Sequence, residues 1–149
     1  VKALSSDDSS KRFWGVISLR DRKIGKPVKS LLIGLLKDPV ADVRIEAAAL
    51  LAQRKASRPN ALRILVNELD NSTWAVALRA CRAIELMGES AKSVLPEMKA
   101  LYTRTRHAKG DDNFFLAFSS GAFLESLGEK TDPWDFTPGA GSFMPPKKK

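Results

Sequence analysis

The sequence predicts an all-α chain, an α-solenoid of about seven helices arranged as antiparallel pairs, with a non-helical C-terminal tail. Three observations predict it. Leu31 to Ala52 reads as two short amphipathic helices joined by a tight turn at Asp38-Pro39, with apolar residues at helical spacing on each. The pattern recurs: a shift of 33 carries Leu32 onto Leu65, Ile33 onto Val66, Leu36 onto Leu69, Val43 onto Val76, Ala47 onto Ala80 and Leu51 onto Ile84. From Glu129 the helical pattern stops in favour of a Pro- and Gly-rich segment. A lone helical hairpin cannot bury its own apolar face, so recurring hairpins imply stacking.

In chain order, residues 1–25 form a truncated half-repeat. A shift of 32 places Leu4 under Leu36, Arg12 under Arg44, Gly15-Val16 under Ala47-Ala48 and Leu19 under Leu51, so the segment matches a second helix without its first. Asp7 to Ser10 offers several N-caps, and Gly25 followed by Pro27 supplies a stop and a new start. Repeat 26–56 pairs a helix over about 27–37 with one over about 40–53. Val28, Leu31, Leu32, Leu35 and Leu36 share a face of the first, and Val43, Ala47, Leu50 and Leu51 form the inward stripe of the second. Ala47 to Ala49 allow close helix approach.

Repeat 57–89 replaces the Asp-Pro turn with Asn71-Ser72-Thr73, where Ser72 or Thr73 is a natural cap, and ends at Gly88. The same three residues spell a glycosylation sequon, which a tight turn makes a coincidence of capping chemistry. Repeat 90–128 carries an insertion. Cys81 to Glu89 aligns with Gly121 to Glu129 only at a shift of 40, placing seven extra residues within the charged stretch 103–112. The last helix, about 113–127, holds Phe114, Phe115, Phe118 and Phe123, more aromatics than one stripe accommodates. The helical repeats thus make one domain over 1–128, with an irregular tail over 129–149. Trp134 and Phe136 in that tail are expected to fold back as the terminal cap that a stack of repeats requires.

At 149 residues, 44% hydrophobic and 28% charged, the chain has the composition of an ordinary globular domain. Its longest apolar runs fall well short of the roughly 20 residues of a membrane span. The single cysteine, Cys81, excludes an internal disulfide and sits at a small-residue position of an apolar face, as a core residue does. A formal charge of +8 favours anionic partners, but Lys and Arg are interleaved with Asp and Glu except at Lys147-Lys148-Lys149, as on a solvated surface. The opening Val1-Lys2-Ala3, with neither initiator Met nor signal region, reads as a piece of a longer polypeptide.

Asp38-Pro39 in the turn, Val43-Arg44 opening the second helix and Ala47-Ala48 after it resemble HEAT repeats over residues 4–128. That resemblance implies an inter-repeat ladder in which Asp38 meets Arg44 or Arg12. Ala77 stands where the next turn Arg would be, so the ladder is expected to break there. The order RFWGVISLR, DPVADVRIEAAALLA, WAVALRACRAIELMGE, a charged loop and FFLAFSSGAFLESLGEKTDPWDF further resembles the C-terminal HEAT-like extension of bacterial sulfatases. This second resemblance implies a catalytic domain upstream and a periplasmic or secreted location. The sulfatase nucleophile lies in a Cys/Ser-x-Pro-x-Arg motif beside a calcium. Cys81-Arg82-Ala83-Ile84-Glu85 is not that motif, and no Ser here fits it.

Catalytic chemistry has no foothold in the sequence. His107 is the only histidine, which removes the usual parts of a His metal site or a Ser-His-Asp arrangement. Gly25-Lys26 and Gly128 to Thr131 lack the glycine spacing of a phosphate-binding loop, and Glu46, Glu85 and Glu89 are not paired for acid and base work. No enzyme and no cofactor are expected. Trp14, Glu46 and Arg79 occupy equivalent positions one repeat apart, on the face of each second helix away from the inward stripe. With Arg82 they are a candidate contact surface; Arg104, Arg106 and Lys109 of the insertion are a second. The expected role is a non-catalytic scaffold packing on its own upstream catalytic domain or another protein. The alternative is a basic nucleic-acid-binding module, which would need clustered Lys and Arg where the second helices offer a mixed set.

Overall fold

The computed structural model describes residues 1–71, 73–108 and 110–132. It is all-helical, with seven α-helices and two 3-10 segments among the described residues and no strand. None of the helices is long and apolar enough to cross a membrane. The chain divides into two compact units, one from Val1 to Ala83 and one starting at Ile84.

The first unit opens with a 3-10 turn at Lys2–Ser5, then α1 (Ser9–Ile17), α2 (Lys26–Leu35), α3 (Ala41–Ala52), α4 (Arg58–Glu68) and most of α5 (Trp74–Glu85). The half-repeat is visible: the 3-10 turn, with Leu4 buried, packs on α1 where a first helix would lie. Gly15 permits that approach, because a Cβ there would sit 2.9 Å from the Ala3 Cβ. Proline in the first turn pre-sets both α2 and α4.

Central to the unit is α3, which packs against α1, α2 and α4. Neighbours on three sides bury Val43, Ile45, Ala47, Ala48, Leu50, Leu51 and Ala52, more of the helix than the single stripe read from the sequence. Leu32, Leu35, Leu36, Ala61, Leu62, Leu65 and Leu69 complete the core around it.

The repeat persists in the hydrogen bonding of the turns. Ser6 Oγ accepts from the Asp8 N–H (3.2 Å), Asp38 Oδ1 from the Val40 N–H (2.9 Å) and Asn71 Oδ1 from the Thr73 N–H (3.0 Å). These three acceptors stand 32 and 33 residues apart, as do the residues they position. The carbonyls of Asp8, Val40 and Thr73 accept the first backbone bonds of α1, α3 and α5. A short polar side chain at the turn fixes each second helix through its own backbone. In the third turn Asn71 performs this role; of the two caps expected there, Thr73 opens the helix and Ser72 lies outside the described residues.

The second unit contains a 3-10 segment (Gly88–Val94), α6 (Leu95–Thr105) and α7 (Asp111–Ser126). Gly88, at φ +48°, ends the preceding helix in the left-handed region, as expected of a C-terminal glycine. The expected first helix of this repeat is 3-10 up to Val94 and turns α-helical at Leu95, with proline in its first turn.

The seven inserted residues do not make the loop expected over 103–112. Thr103 to Thr105 extend α6, and Asp111 and Asp112 open α7, so only 106–110 connect the two helices. Helix α7 crosses α6 closely at Gly121, where a Cβ would come within 3.1 Å of the Tyr102 ring. Phe123 is fully buried there with Met98, Leu101, Leu116 and Leu124. The surplus aromatics lie outside that core: Phe115 and Phe118 are exposed, and Phe114 contacts both rings.

Candidate interaction surface

Buried charge organises the first unit and sets which side chains remain for binding. Arg12 on α1 grips Asp38 with Nε (2.6 Å) and Nη2 (3.0 Å), while its Nη1 donates to the carbonyls of Ser6 and Asp7. One repeat on, Arg44 Nη1 donates to the carbonyls of Asp38 and Pro39, the equivalent positions of its own turn. Its carboxylate partner is Glu68, at 2.7 Å from Nε and 2.6 Å from Nη2. The expected ladder is therefore present as Arg12 to Asp38. Arg44 reaches the Asp38 backbone rather than its carboxylate, and its charge partner on α4 was not foreseen.

Burial alone would push the Asp38 carboxyl up. The hydrogen bonds from Arg12 and from the Val40 N–H, with the charges of Arg12 and Arg44, outweigh it and hold the group below the usual carboxylate range. Reciprocally, the hydrogen bond to Asp38 raises Arg12 further above its already high value, against a smaller opposing effect of burial.

The ladder ends where Ala77 replaces the arginine. Ala77 is itself buried, and Asn71, standing where Asp38 stands a repeat earlier, donates to Glu68 at 3.0 Å. Glu68 thereby receives both Arg44 and the last turn, which gives a carboxylate only 7% exposed its required partners.

A second set of charges runs along the outer face of α1, α3 and α5. Glu46, predicted on the contact surface, is instead 7% exposed. It accepts from Arg20 at 2.5 Å and lies 3.6 Å from Arg79, whose Nε is 3.2 Å from Asp42. An acid in the middle of an Ala-rich helix stays buried here because guanidinium groups reach it from both neighbouring elements.

The Arg79 guanidinium also lies 5.4 Å over the Phe13 ring. Phe13 meets Trp14 edge to face at 5.3 Å. Trp14 is 64% exposed, and Arg79 and Asp42 are both roughly half exposed.

These side chains line a groove of about 270 Å³ formed by Ser9, Ser10, Phe13 and Trp14 of α1, Val40, Asp42 and Val43 at the start of α3, and Arg79 of α5. Of the sequence-predicted contact residues, the structure brings Trp14 and Arg79 together at this groove and puts Glu46 beneath it. Arg82 is exposed on α5 but does not line it. Phe13, Asp42, Arg20 and Glu68 were missed. One signal was available: Arg20 precedes Glu46 by 26 residues, the same offset as Arg12 before Asp38, so one rung runs from α1 to the turn before α3 and the other, eight residues on, from the turn after α1 to α3.

In the second unit, Arg104 is exposed on α6, whereas Arg106 is only 3% exposed and Lys109 lies outside the described residues. Arg106 was expected in a solvated loop. It caps α6 and turns inward: its Nε donates to Tyr102 Oη (2.9 Å) and its Nη2 to the Asp132 carbonyl (3.2 Å). Tyr102 Oη also accepts from the Asp132 N–H at 3.0 Å, so Tyr102 and Arg106 together clamp both main-chain groups of Asp132.

The segment reaching that clamp is well specified. Gly128, at φ +77°, closes α7 with bonds from its N–H to Glu125 and from the Glu129 N–H to Leu124, a Schellman motif. Lys99 pairs with Glu129 at 2.8 Å, Thr131 donates to Glu125, and His107 lies 3.7 Å from the Asp132 carboxylate. Trp134 and Phe136, the expected tail cap, lie outside the described residues. Cys81 is fully buried, as its position in the pattern predicts. Among the described residues, no group of three or more His, Cys, Asp or Glu could hold a metal.

Fold and surface together define an all-α chain of helical-repeat character with a mixed aromatic and charged groove on its first unit. Compared with known proteins, no family model, curated protein or solved structure matches the chain.

Proposed function

We propose that the chain is a non-catalytic binding module, a HEAT-like α-solenoid whose second helices present a contact face to another protein. One observation carries this reading: Trp14, left 64% exposed by helix packing, lines an open groove with Phe13 and Arg79. A large exposed aromatic beside a half-exposed arginine has the composition of an interface hot spot. Inward positions such as Ala47 and Leu51 are spent on the core, so binding falls to this face.

The partner we propose is the catalytic domain of a bacterial sulfatase-like hydrolase encoded ahead of Val1, for which this chain serves as the C-terminal accessory domain. That part rests on the sequence resemblance alone. Its first test is the coding sequence upstream, which should contain a Cys/Ser-x-Pro-x-Arg segment. The second is titration calorimetry of this chain against that domain produced separately. Association is expected, with Trp14→Ala weakening it by about tenfold or more. No association, or association indifferent to Trp14, removes the reading. Salt-dependent binding of random duplex DNA in its place would establish the nucleic-acid alternative.

A further inference from the structure

Cations that alternate with acids along much of the sequence are sorted by the fold. The unit from Val1 to Ala83 holds sixteen Lys and Arg against eight Asp and Glu, and residues 84–149 hold nine of each, so the formal charge of +8 belongs entirely to the first unit. Within that unit, the stretch 20–29 sets Arg20, Arg22, Lys23, Lys26 and Lys29 against Asp21 alone, and the stretch 54–63 sets Arg54, Lys55, Arg58 and Arg63 against no acid. Helices α1 and α3 run parallel, because Arg12 to Asp38 and Arg20 to Glu46 pair residues at one offset. The first stretch leaves the C-terminal end of α1 and enters α2; the second leaves that of α3 and enters α4. Both therefore lie at the same end of the packed helices, about 10 Å apart as neighbouring helices are. The opposite end carries Asp7, Asp8, Asp38, Asp42, Glu68 and Asp70 against Lys11, Arg12, Lys37 and Arg44; Lys2, Glu46, Arg79 and Arg82 complete the unit. The two ends also differ in pairing. Arg12 and Arg44 meet Asp38 and Glu68. At the basic end Arg20 is matched by Glu46, but among the described residues Arg22, Lys23, Lys26, Lys29 and Lys55 have no carboxylate partner. Arg54 and Arg58 donate to the carbonyls of Leu50 and Ala52, and Arg63 to the Asn60 side chain, so their charge is also unmatched.

We propose that this end of the first unit binds the two phosphate backbones of a DNA duplex without reading its sequence. The inference goes beyond the protein-binding role proposed above and uses a different face. Cations crowded together without acids repel one another, and a polyanion relieves that repulsion. Two rows of cations about 10 Å apart suit the two strands that border a major groove roughly 12 Å wide, whereas a single-chain polyanion would occupy one row. Neither stretch contains an aromatic residue, so unpaired bases find no stacking surface. None of the large exposed apolar side chains lies in either stretch, which removes the anchor that a bilayer-bound helix or a protein hot spot uses. Lysine, which supplies four of these cations, is moreover depleted in protein interfaces. What remains is an attraction to phosphates that rests on charge alone.

The test is fluorescence anisotropy of a labelled random-sequence DNA duplex of about 20 base pairs, titrated with the whole chain over a series of salt concentrations. A dissociation constant of about 10 μM or below is expected at about 50 mM salt, with the logarithm of the affinity falling linearly as the logarithm of salt rises. Duplexes rich in A·T and in G·C should bind alike, and either single strand more weakly. Lys26→Gln with Lys55→Gln takes one exposed cation from each row. It should weaken binding about tenfold and reduce the salt slope by about 2, at an unchanged thermal melt. Lys11→Gln with Lys37→Gln removes the same charge from exposed positions at the opposite end, and should change affinity by no more than about twofold. Trp14→Ala should leave it unchanged, since the Trp14 groove is lined by Ser9, Ser10, Val40 and Asp42, toward that opposite end.

Equal losses from the two lysine pairs would reduce the effect to net charge and overturn the proposal. So would absence of duplex binding at low salt, or tighter binding of the single strand, of heparin or of vesicles rich in anionic lipid than of the duplex. Each of these outcomes defeats this inference alone where Trp14→Ala still weakens association with the partner domain. Indifference of that association to Trp14 defeats the protein-binding role and leaves the duplex assay to stand by itself.

Discussion

In the unit ending at Ala83, the inter-helix turns are held by arginines reaching back to the carbonyls of their own turn while gripping a carboxylate from the next element. In the unit beginning at Ile84 no such arginine opens α7; the segment leaving that helix is held by a tyrosine hydroxyl and a buried arginine on the main chain of Asp132. Both arrangements tie buried side-chain polar groups to the main chain and so fix a chain direction. They differ in what they can propagate. A rung that uses one residue per repeat extends from turn to turn until a position such as Ala77 interrupts it. The clamp on Asp132 closes on the end of its own helix pair and has no successor.

The comparison breaks most visibly at Arg44. Arg44→Ala removes the charged partner of the buried Glu68 carboxylate, leaving it Asn71, and two bonds to the Asp38 turn. It should destabilise the first unit by about 3 kcal/mol, as urea unfolding would measure. Adding Glu68→Gln should recover part of that loss by removing the stranded charge; a strictly additive double variant would deny the coupling.

Tyr102→Phe tests the other side. It strands the donors of Arg106 and Asp132 and should cost about 2 kcal/mol. The Asp132 amide should then exchange faster with solvent, with no change in exchange on α3. Gly15→Ala should be smaller, about 1 kcal/mol, because the clash is with Ala3 in a short terminal turn that can shift. Its effect should be confined to exchange of the amides of Leu4 and Ser6.

How much of this was legible follows the same division. Helix positions over most of the chain came from apolar periodicity: α3, expected over about 40–53, runs Ala41–Ala52. The Arg12 to Asp38 rung is one of the two contacts that the HEAT-repeat resemblance implied for Asp38. Glu46 and Arg106 were misplaced because local pattern ranks a charged residue as solvated, and only the elements packed against it reveal a partner. Glu46 needs Arg20 and Arg79, 26 and 33 residues away. Arg106 needs a chain segment 26 residues later. The insertion misled for a related reason: its length showed in the phase slip, but its partition between α6, α7 and the connection depends on how Tyr102 and Gly121 meet. Trp14 was identifiable as a repeat position, yet its groove also required Phe13 and Asp42, whose relation to Arg79 spans three helices.

The smallest expected effect sharpens the comparison by pH. Asp38 titrates below its ordinary value of 3.8 in the folded chain, because the bonds from Arg12 and Val40 and the neighbouring charges outweigh the cost of burial. A carboxylate with a folded value below its unfolded one binds protons more readily when the chain unfolds. Its contribution is therefore fully present above the unfolded value and is lost as pH falls through the folded one. Stability of the first unit should fall below about pH 4 partly on this account. Asp38→Asn keeps the acceptor for the Val40 N–H but abolishes the titration and weakens the grip on Arg12. The variant should be less stable than the parent at pH 7, with the difference shrinking steadily as the medium is acidified below pH 4. A difference that stays constant down to pH 2 would mean that the Arg12 rung does not couple Asp38 ionisation to folding. The turn would then owe its order to the Asp38 to Val40 bond, which it shares with the rungless turn at Asn71, and to the bonds from Arg44 to its carbonyls.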